Sequence, residues 1–325
     1  MKIGVVGGGA WGTALAQVCA SGGEDVLLWA RETAVVDAIN HDHENPLFLA
    51  RVMLSPLIEA TSNLADLRAC DLLLIVTPAQ HVRATLAAMS VGVRPLILCA
   101  KGIEAGSQKF MSEVARTMCP DAPIAVLSGP TFAHEVAAGL PTAVTLACED
   151  SALARALALR IARPHFRPYV SADVTGAEIG GAVKNVLAIA CGVVAGRGLG
   201  SNAAAALIAR GFAEMTRFGL CKGAAAETLG GLSGLGDLVL TCSSRASRNF
   251  SLGVGLGEGR SAATLLNNTT TIAEGAFTAT VLQAAARACG VDMPVVDAVC
   301  DLLSGDADVQ HVVSALLSRP LTAEA

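Results

Sequence analysis

Residues 2–12 read KIGVVGGGAWG: an apolar run breaks into three consecutive glycines, Gly12 follows, and an alanine-rich helical pattern takes over from Thr13. Few folds accept such a junction. The spacing Gly7-x-Gly9-x-x-Gly12 is a weak signal alone, but a strand before it and a helix after it supply the setting the physics requires. Gly7 permits the tight turn, Gly9 lets the backbone approach a pyrophosphate, and Gly12 lets the helix lie close on the strand. The helix N-terminus adds unpaired N–H groups and the positive end of its dipole. The chain is therefore expected to begin with a dinucleotide site.

Apolar runs continue at 25–30 (DVLLWA), 71–77 (DLLLIVT), 94–100 (RPLILCA), 124–129 (IAVLSG) and 142–148 (TAVTLAC), most of them separated by helix-length segments. Near-continuous Val, Ile and Leu strands alternating with helices predict a parallel sheet covered on both faces. After residue 170 the texture changes to long alanine-rich helices. One is expected over 202–218, with Arg210 and Glu214 paired at i,i+4 and Gly219 as its cap; others are expected at 278–289 and 294–304, punctuated by Gly290 and Pro294. The expected fold is α/β: an N-terminal doubly wound, Rossmann-type domain over 1–170 and a mostly α-helical domain over 171–325.

Composition narrows the function. The chain is 53% hydrophobic and 16% charged, which excludes disorder, and its net charge of -5 carries no basic patch for nucleic acid. After Lys2 the chain is uncharged through Gly23, yet the glycines at 4, 7, 8, 9 and 12 would ruin a leader or membrane helix. No membrane span is expected. Ten cysteines are scattered, the nearest two being Cys289 and Cys300, with no CxxC pair and no Cys/His ligand cluster. They read as reduced core thiols in a cytoplasmic protein, with no metal.

Chemistry concentrates in a few segments. Lys101, in AKGIE, and the loop SGPTFA (128–133) both follow strands, where a doubly wound sheet forms its ligand crevice. The helical half adds Lys184-Asn185, GLGD (234–237) and Ser247-Arg248-Asn249, the last a donor-dense turn suited to a phosphate. Lys184 stands in the apolar stretch GGAVKNVLAIA (180–190), where a lone lysine would ordinarily snorkel to the surface. A partly buried lysine has its pKa lowered by desolvation and by neighbouring cations, which brings acid–base work near neutral pH within reach. Lys101 and Arg248, if near, would push it down and Asp237 would oppose them. Thr175 and Glu178 are expected to form a capping box for this helix. Where an NAD site places an acid at the end of the second strand, this chain has Arg31 followed by Glu32. Arg31 favours a 2′-phosphate, hence NADP over NAD, while Glu32 leaves NAD open. His134, beside Glu135, reads as a helix-surface residue rather than a catalytic one.

The ordered set GGGAWGTALA (7–16), LLWARE (27–32), AKGIE (100–104), SGPTFAHEVAAGLPTAV (128–144), GGAVKNVLAIACG (180–192), LIARGFAEM (207–215), GLSGLGDLVLTCSS (231–244), SRN (247–249) and AEG (273–275) resembles the bacterial-type NAD(P)-dependent glycerol-3-phosphate dehydrogenases nearly end to end. The resemblance implies a 6-phosphogluconate-dehydrogenase-like two-domain fold. It also implies reversible reduction of dihydroxyacetone phosphate to sn-glycerol 3-phosphate, feeding glycerophospholipid synthesis. By that likeness Lys184 is the proton donor or acceptor at the C2 oxygen, with Lys101 and Asp237 beside it. Gly129, Thr131, Ser247, Arg248 and Asn249 complete the substrate site. Ala10, Trp11, Arg31, Lys101, Ala133, Arg248, Ile272 and Glu274 join Gly7, Gly9 and Gly12 at the dinucleotide. Arg197 stands where the family leads one to expect an acidic residue, a local departure. A homodimer is the expected assembly, although no sequence feature specifies it.

Rival readings fall into two classes, other dehydrogenases of related architecture and a non-enzymatic binding module. Ketopantoate reductases and hydroxyacid dehydrogenases share this two-domain plan, and the phosphate-suited SRN turn argues against them. A UDP-sugar dehydrogenase would need a catalytic cysteine; Cys242 lies near the site segments without the supporting match. An NAD(P)H-sensing binding module would not need Lys184, Asp237 and Arg248 together.

Overall fold

A computed structural model describes residues 2–267 and 273–317. Eight strands form one sheet: β1 Lys2–Val6, β2 Asp25–Trp29, β3 Ile58–Thr61, β4 Leu72–Ile75, β5 Leu96–Leu98, β6 Ile124–Ser128, β7 Thr142–Ala147 and β8 Phe166–Ser171. Their order is β3-β2-β1-β4-β5-β6-β7-β8. The chain starts mid-sheet and works outward in both directions, so a crevice opens at the carboxyl ends of the central strands. β1 shows why these strands read as unbroken apolar runs. Ile3 and Val5 pack into one core with Ala14 and Leu15 of the first helix, while Val6 belongs to a second core on the opposite face with Leu73 and Ile75. Both faces are covered.

The sheet departs from the parallel expectation once. β6 and β7 pair antiparallel, Leu127 opposite Leu146. The connection between them carries only the five-residue helix Ala133–Ala137, no long crossover, so the chain doubles back. Two strands escaped the sequence reading. β3 is four residues long with exposed Glu59, and β8 carries Pro168 with Tyr169 and Val170 half-exposed. Both are edge strands with only one partner, where a proline costs no ladder bond.

After β8 the chain enters one long helix, Val174–Gly196, buried almost throughout. Its cap is Asp173, whose Oδ1 accepts from the Gly176 N–H at 2.8 Å. Glu178 is not part of a capping box with Thr175: its carboxylate accepts from the Ser112 N–H at 2.8 Å and the Ser112 hydroxyl at 2.6 Å, tying this helix to the nucleotide-side helix Met111–Met118. Around it pack Ser201–Cys221, Asp237–Cys242, Arg248–Gly257, Glu274–Ala288 and Pro294–Ser304. The helix expected to end at Gly219 runs on to Cys221. Its Glu214 turns inward to the Val295 N–H at 2.8 Å rather than pairing with Arg210. The crossing with Arg248–Gly257 is made by glycines. A Cβ on Gly253 would meet the Ile189 carbonyl and stand 3.0 Å from the Gly192 Cα, and one on Gly257 would stand 3.0 Å from the Gly196 Cα. The central helix is long and apolar enough to cross a membrane, but 83% of its most apolar window is buried inside the fold.

Candidate active site at a lysine–aspartate–lysine bridge

Asp237 opens its helix directly after a single π-helical turn, Leu232–Gly236, and is wholly buried. Each carboxylate oxygen takes a different lysine. Lys184 Nζ donates to Oδ1 at 2.9 Å, and Lys101 Nζ donates to Oδ2 at 2.7 Å. Lys184 also donates to the Thr241 hydroxyl at 2.8 Å, which in turn donates to Asp237 at 3.2 Å. Lys101 donates to the Gly129 carbonyl at 3.1 Å. An ammonium has three protons, so each lysine keeps one for a further acceptor. The bridge joins both halves of the chain, since Lys101 follows β5 and Asp237 and Lys184 belong to the helical region.

Lys184 is 7% exposed and does not snorkel. Its ammonium pKa is pushed down from the usual lysine range to about 8, first by desolvation; Asp237 opposes this and Lys101 adds to it. The contest left open by the sequence is thus won by burial, with Asp237 keeping the value from falling further. Arg248 is not among the groups that shift Lys184. It is exposed at the start of its helix, and its charge bears on Glu274, whose carboxyl is pushed up by desolvation and held back first by Arg248.

The glycines before Lys184 leave room for neighbours. A Cβ on Gly181 would come within 3.1 Å of both Lys101 Cγ and Ser128 Oγ, and one on Gly180 within 2.8 Å of Gly234 Cα. Ser128 Oγ is buried there without a partner. Asn185 is turned away from the lysines. Its Oδ1 accepts from Asn249 Nδ2 at 3.0 Å, and Asn249 Oδ1 accepts from the Gly275 N–H at 2.9 Å, at the start of the Glu274 helix. Ser247 is that turn's N-cap, accepting from the Phe250 N–H at 3.2 Å. Thr131 Oγ1 donates to the Gly129 carbonyl at 3.3 Å. His134 is an exposed helix residue, as expected.

At the nucleotide end, Gly7 has φ +130, a conformation that favours glycine. A Cβ on Gly12 would collide with the Gly7 carbonyl, so helix and turn meet as closely as the spacing implied. A Cβ on Gly9 would meet nothing within 4 Å: the turn faces open space there. Gly9 caps the Ala10–Ala20 helix without any side-chain bond, leaving its first N–H groups for a ligand. Trp11 Nε1 is buried without a partner. These features fit a dinucleotide. Asn45, which no local pattern marked, holds the turn from 37 residues away by donating to the Gly8 carbonyl at 2.9 Å and to the Thr13 hydroxyl at 2.8 Å. Arg31 is exposed and pairs with Glu32 at 2.8 Å. Ala10 and Ala133 pack beside the core that backs this turn. Ile272 lies outside the described residues. Arg197 is far from this chemistry, donating to the Gln310 side chain at 3.2 Å. Among the described residues no group of three or more His, Cys, Asp or Glu is placed to hold a metal ion.

A doubly wound sheet whose glycine-rich turn and crevice are completed by a buried lysine–aspartate–lysine bridge on a helical second half defines a dinucleotide-dependent dehydrogenase of two-part architecture. Sequence models for the N- and C-terminal parts of NAD-dependent glycerol-3-phosphate dehydrogenase match residues 2–154 and 173–314. The chain belongs to that family. It is 62% identical over 323 residues to a glycerol-3-phosphate dehydrogenase [NAD(P)+] of Sphingopyxis alaskensis, covering 99% of this chain and 98% of the other. The Erythrobacter litoralis protein of the same name is 63% identical, again over 99% of this chain and 98% of the other. A solved glycerol-3-phosphate dehydrogenase from Coxiella burnetii superposes with a TM-score of 0.93 at 38% identity, over 98% of this chain and 99% of that one. A ketopantoate reductase from Ralstonia eutropha shares the fold alone, with a TM-score of 0.63 and 15% identity over 94% of this chain and 97% of that one.

Proposed function

We propose that the chain catalyses reversible reduction of dihydroxyacetone phosphate to sn-glycerol 3-phosphate with NAD(P)H, in the cytoplasm, as a source of glycerol 3-phosphate for glycerophospholipids. The observation that carries this reading is Asp237 bridging Lys101 and Lys184 in a member of this family matched along nearly its whole length. Gly7, Gly9, Ala10, Trp11, Gly12, Arg31, Ala133, Ile272 and Glu274 would hold the dinucleotide, which would supply the hydride. Lys184 gives its uncommitted proton to the C2 oxygen as the ketone becomes an alcohol, and the neutral amine is reprotonated from solvent. In the oxidative direction the same nitrogen, neutral, accepts the hydroxyl proton. A pKa of about 8 leaves both forms populated near neutral pH. Lys101 directs its remaining proton to the same oxygen and, with Gly129, Thr131, Ser247, Arg248 and Asn249, orients the substrate. The exposed guanidinium of Arg248 meets the phosphate, and fixing the phosphate fixes C2; the gain is proximity and orientation.

In this reading residues 1–170 bind the nucleotide and 171–325 carry the substrate site. We also propose a homodimer, for which the exposed Tyr169 and Val170 on edge strand β8 offer a surface; the mass in solution tests it. The decisive comparison for the activity is steady-state reduction of dihydroxyacetone phosphate and of ketopantoate, each with NADPH and NADH. Turnover on the phosphorylated ketone alone is expected. Turnover on ketopantoate alone would transfer the chain to the other activity that this fold supports.

A further inference from the structure

The ten cysteines are not equivalent. Eight are buried, but Cys221 is exposed and Cys289 half-buried. These two, 68 residues apart in sequence, close the ends of adjacent helices: Cys221 is the last residue of Ser201–Cys221, and Cys289 caps Glu274–Ala288. Cys221 Sγ donates to the Cys289 carbonyl oxygen at 3.6 Å, so the exposed thiol rests against the backbone of the residue that carries the second one. The Cys289 side chain is the first influence holding the Cys221 thiol above its ordinary pKa, while the neighbouring Lys222 cation pulls the other way. The Lys222 ammonium sits 5.8 Å from the centre of the Phe218 ring, one turn back.

We propose that Cys221 and Cys289 form a surface dithiol that hydroperoxides oxidise to an intramolecular disulfide. The chemistry balances without another reagent. One thiolate attacks the peroxide: an S–O bond forms, the O–O bond breaks, and the departing oxygen leaves as water once protonated. The second sulfur attacks the resulting sulfenic sulfur: the S–S bond forms, the S–O bond breaks, and a second water carries off the oxygen. Two thiols lose two electrons and two protons, and one hydrogen peroxide becomes two waters. The pair Cys191 and Cys242 makes a built-in comparison. The Cys191 side chain likewise holds the Cys242 thiol above its ordinary pKa, but the two are 2% and 3% exposed, and burial adds to the forces holding the Cys242 proton. Proximity is common to both pairs; access belongs to the surface pair.

The test uses the reduced full-length enzyme. It is treated with hydrogen peroxide, blocked with N-ethylmaleimide in denaturant, and mapped by peptide mass spectrometry. The expected product is a Cys221 peptide linked to a Cys289 peptide, about two mass units lighter than the sum of the reduced peptides. Cys221→Ser, a change at an exposed helix end, abolishes the link. Unoxidised enzyme should be retained on immobilised phenylarsine oxide, a dithiol reagent, and Cys221→Ser should lose most of that retention. Both thiols fully alkylated after peroxide, a link found at Cys191–Cys242 instead, or equal retention of wild type and variant would each overturn the proposal.

Discussion

At the scale of single residues, the site rests on an unusual allocation of one carboxylate. Asp237 has no solvent exposure and two ammonium groups to satisfy, so its removal leaves both lysines facing each other in a poorly solvated pocket. Asp237→Asn keeps the shape but removes the charge that raises the Lys184 pKa. We expect turnover to drop by about 10²- to 10⁴-fold, the usual weight of an acid–base group, with the alkaline limb of the pH–rate profile moved to lower pH. An unmoved limb would show that Asp237 does not govern the lysine. In the proposed site Arg31 meets the dinucleotide rather than the substrate. Arg31→Ala should raise KM for NADPH far more than for NADH, and equal increases would remove the 2′-phosphate from its role. Residue-level reading of the sequence reached most of these groups because strand ends and glycine turns mark where a crevice must open. It missed Thr241 and Asn45. Thr241 lies one helical turn after Asp237 but gains its role only from Lys184, 57 residues back, and Asn45 only by folding back onto the glycine turn, so each depends on a partner distant in sequence.

At the scale of elements, the central helix is defined by what can approach it. Gly192 and Gly196 face Gly253 and Gly257 so closely that backbone meets backbone. Gly253→Ala puts a methyl against the Ile189 carbonyl, which cannot give way as a side-chain tip could. The overpacking should cost about 1–3 kcal/mol and lower Tm by several degrees, and an unchanged Tm would mean the two helices separate freely. Glu178 ties the same helix to Ser112, and burial raises its carboxyl pKa from 4.5 to about 7. A carboxyl whose folded pKa is raised binds its proton more tightly in the folded state. Its contribution is complete below about 4.5 and fades as pH climbs through about 7. Glu178→Gln, which cannot ionise, should therefore gain stability relative to wild type between about pH 5 and about pH 8. A difference in Tm that does not change with pH would contradict that. The sequence reading placed Glu178 in a capping box because spacing shows only what is near along the chain; its partner 66 residues back was invisible.

For the whole molecule, all six apolar runs became strands, because burial on both faces leaves little room for polar residues. The two strands that escaped notice are edges, where one-sided pairing relaxes that demand and admits Glu59 and Pro168. The reversal at β7 was equally hidden, since direction depends on the length and path of a connection rather than on strand composition. The bridge through Asp237 ties side chains of both halves of the chain together, whereas the glycine-rich turn and the uncapped helix that follows it lie in the first half, away from Lys184. NADPH should accordingly raise Tm in wild type and in Lys184→Ala by similar amounts, with loss of the shift in the variant contradicting this separation.

The most direct measurement is the rate of NADPH-dependent reduction of dihydroxyacetone phosphate by wild type and Lys184→Ala as a function of pH. In the proposed reaction protonated Lys184 is the donor, so the wild-type reductive rate should fall as pH rises through about 8. The variant should be slower by about 10²- to 10⁴-fold and lack that limb. A variant that retained near-normal turnover with the same pH dependence would remove Lys184 from the chemistry.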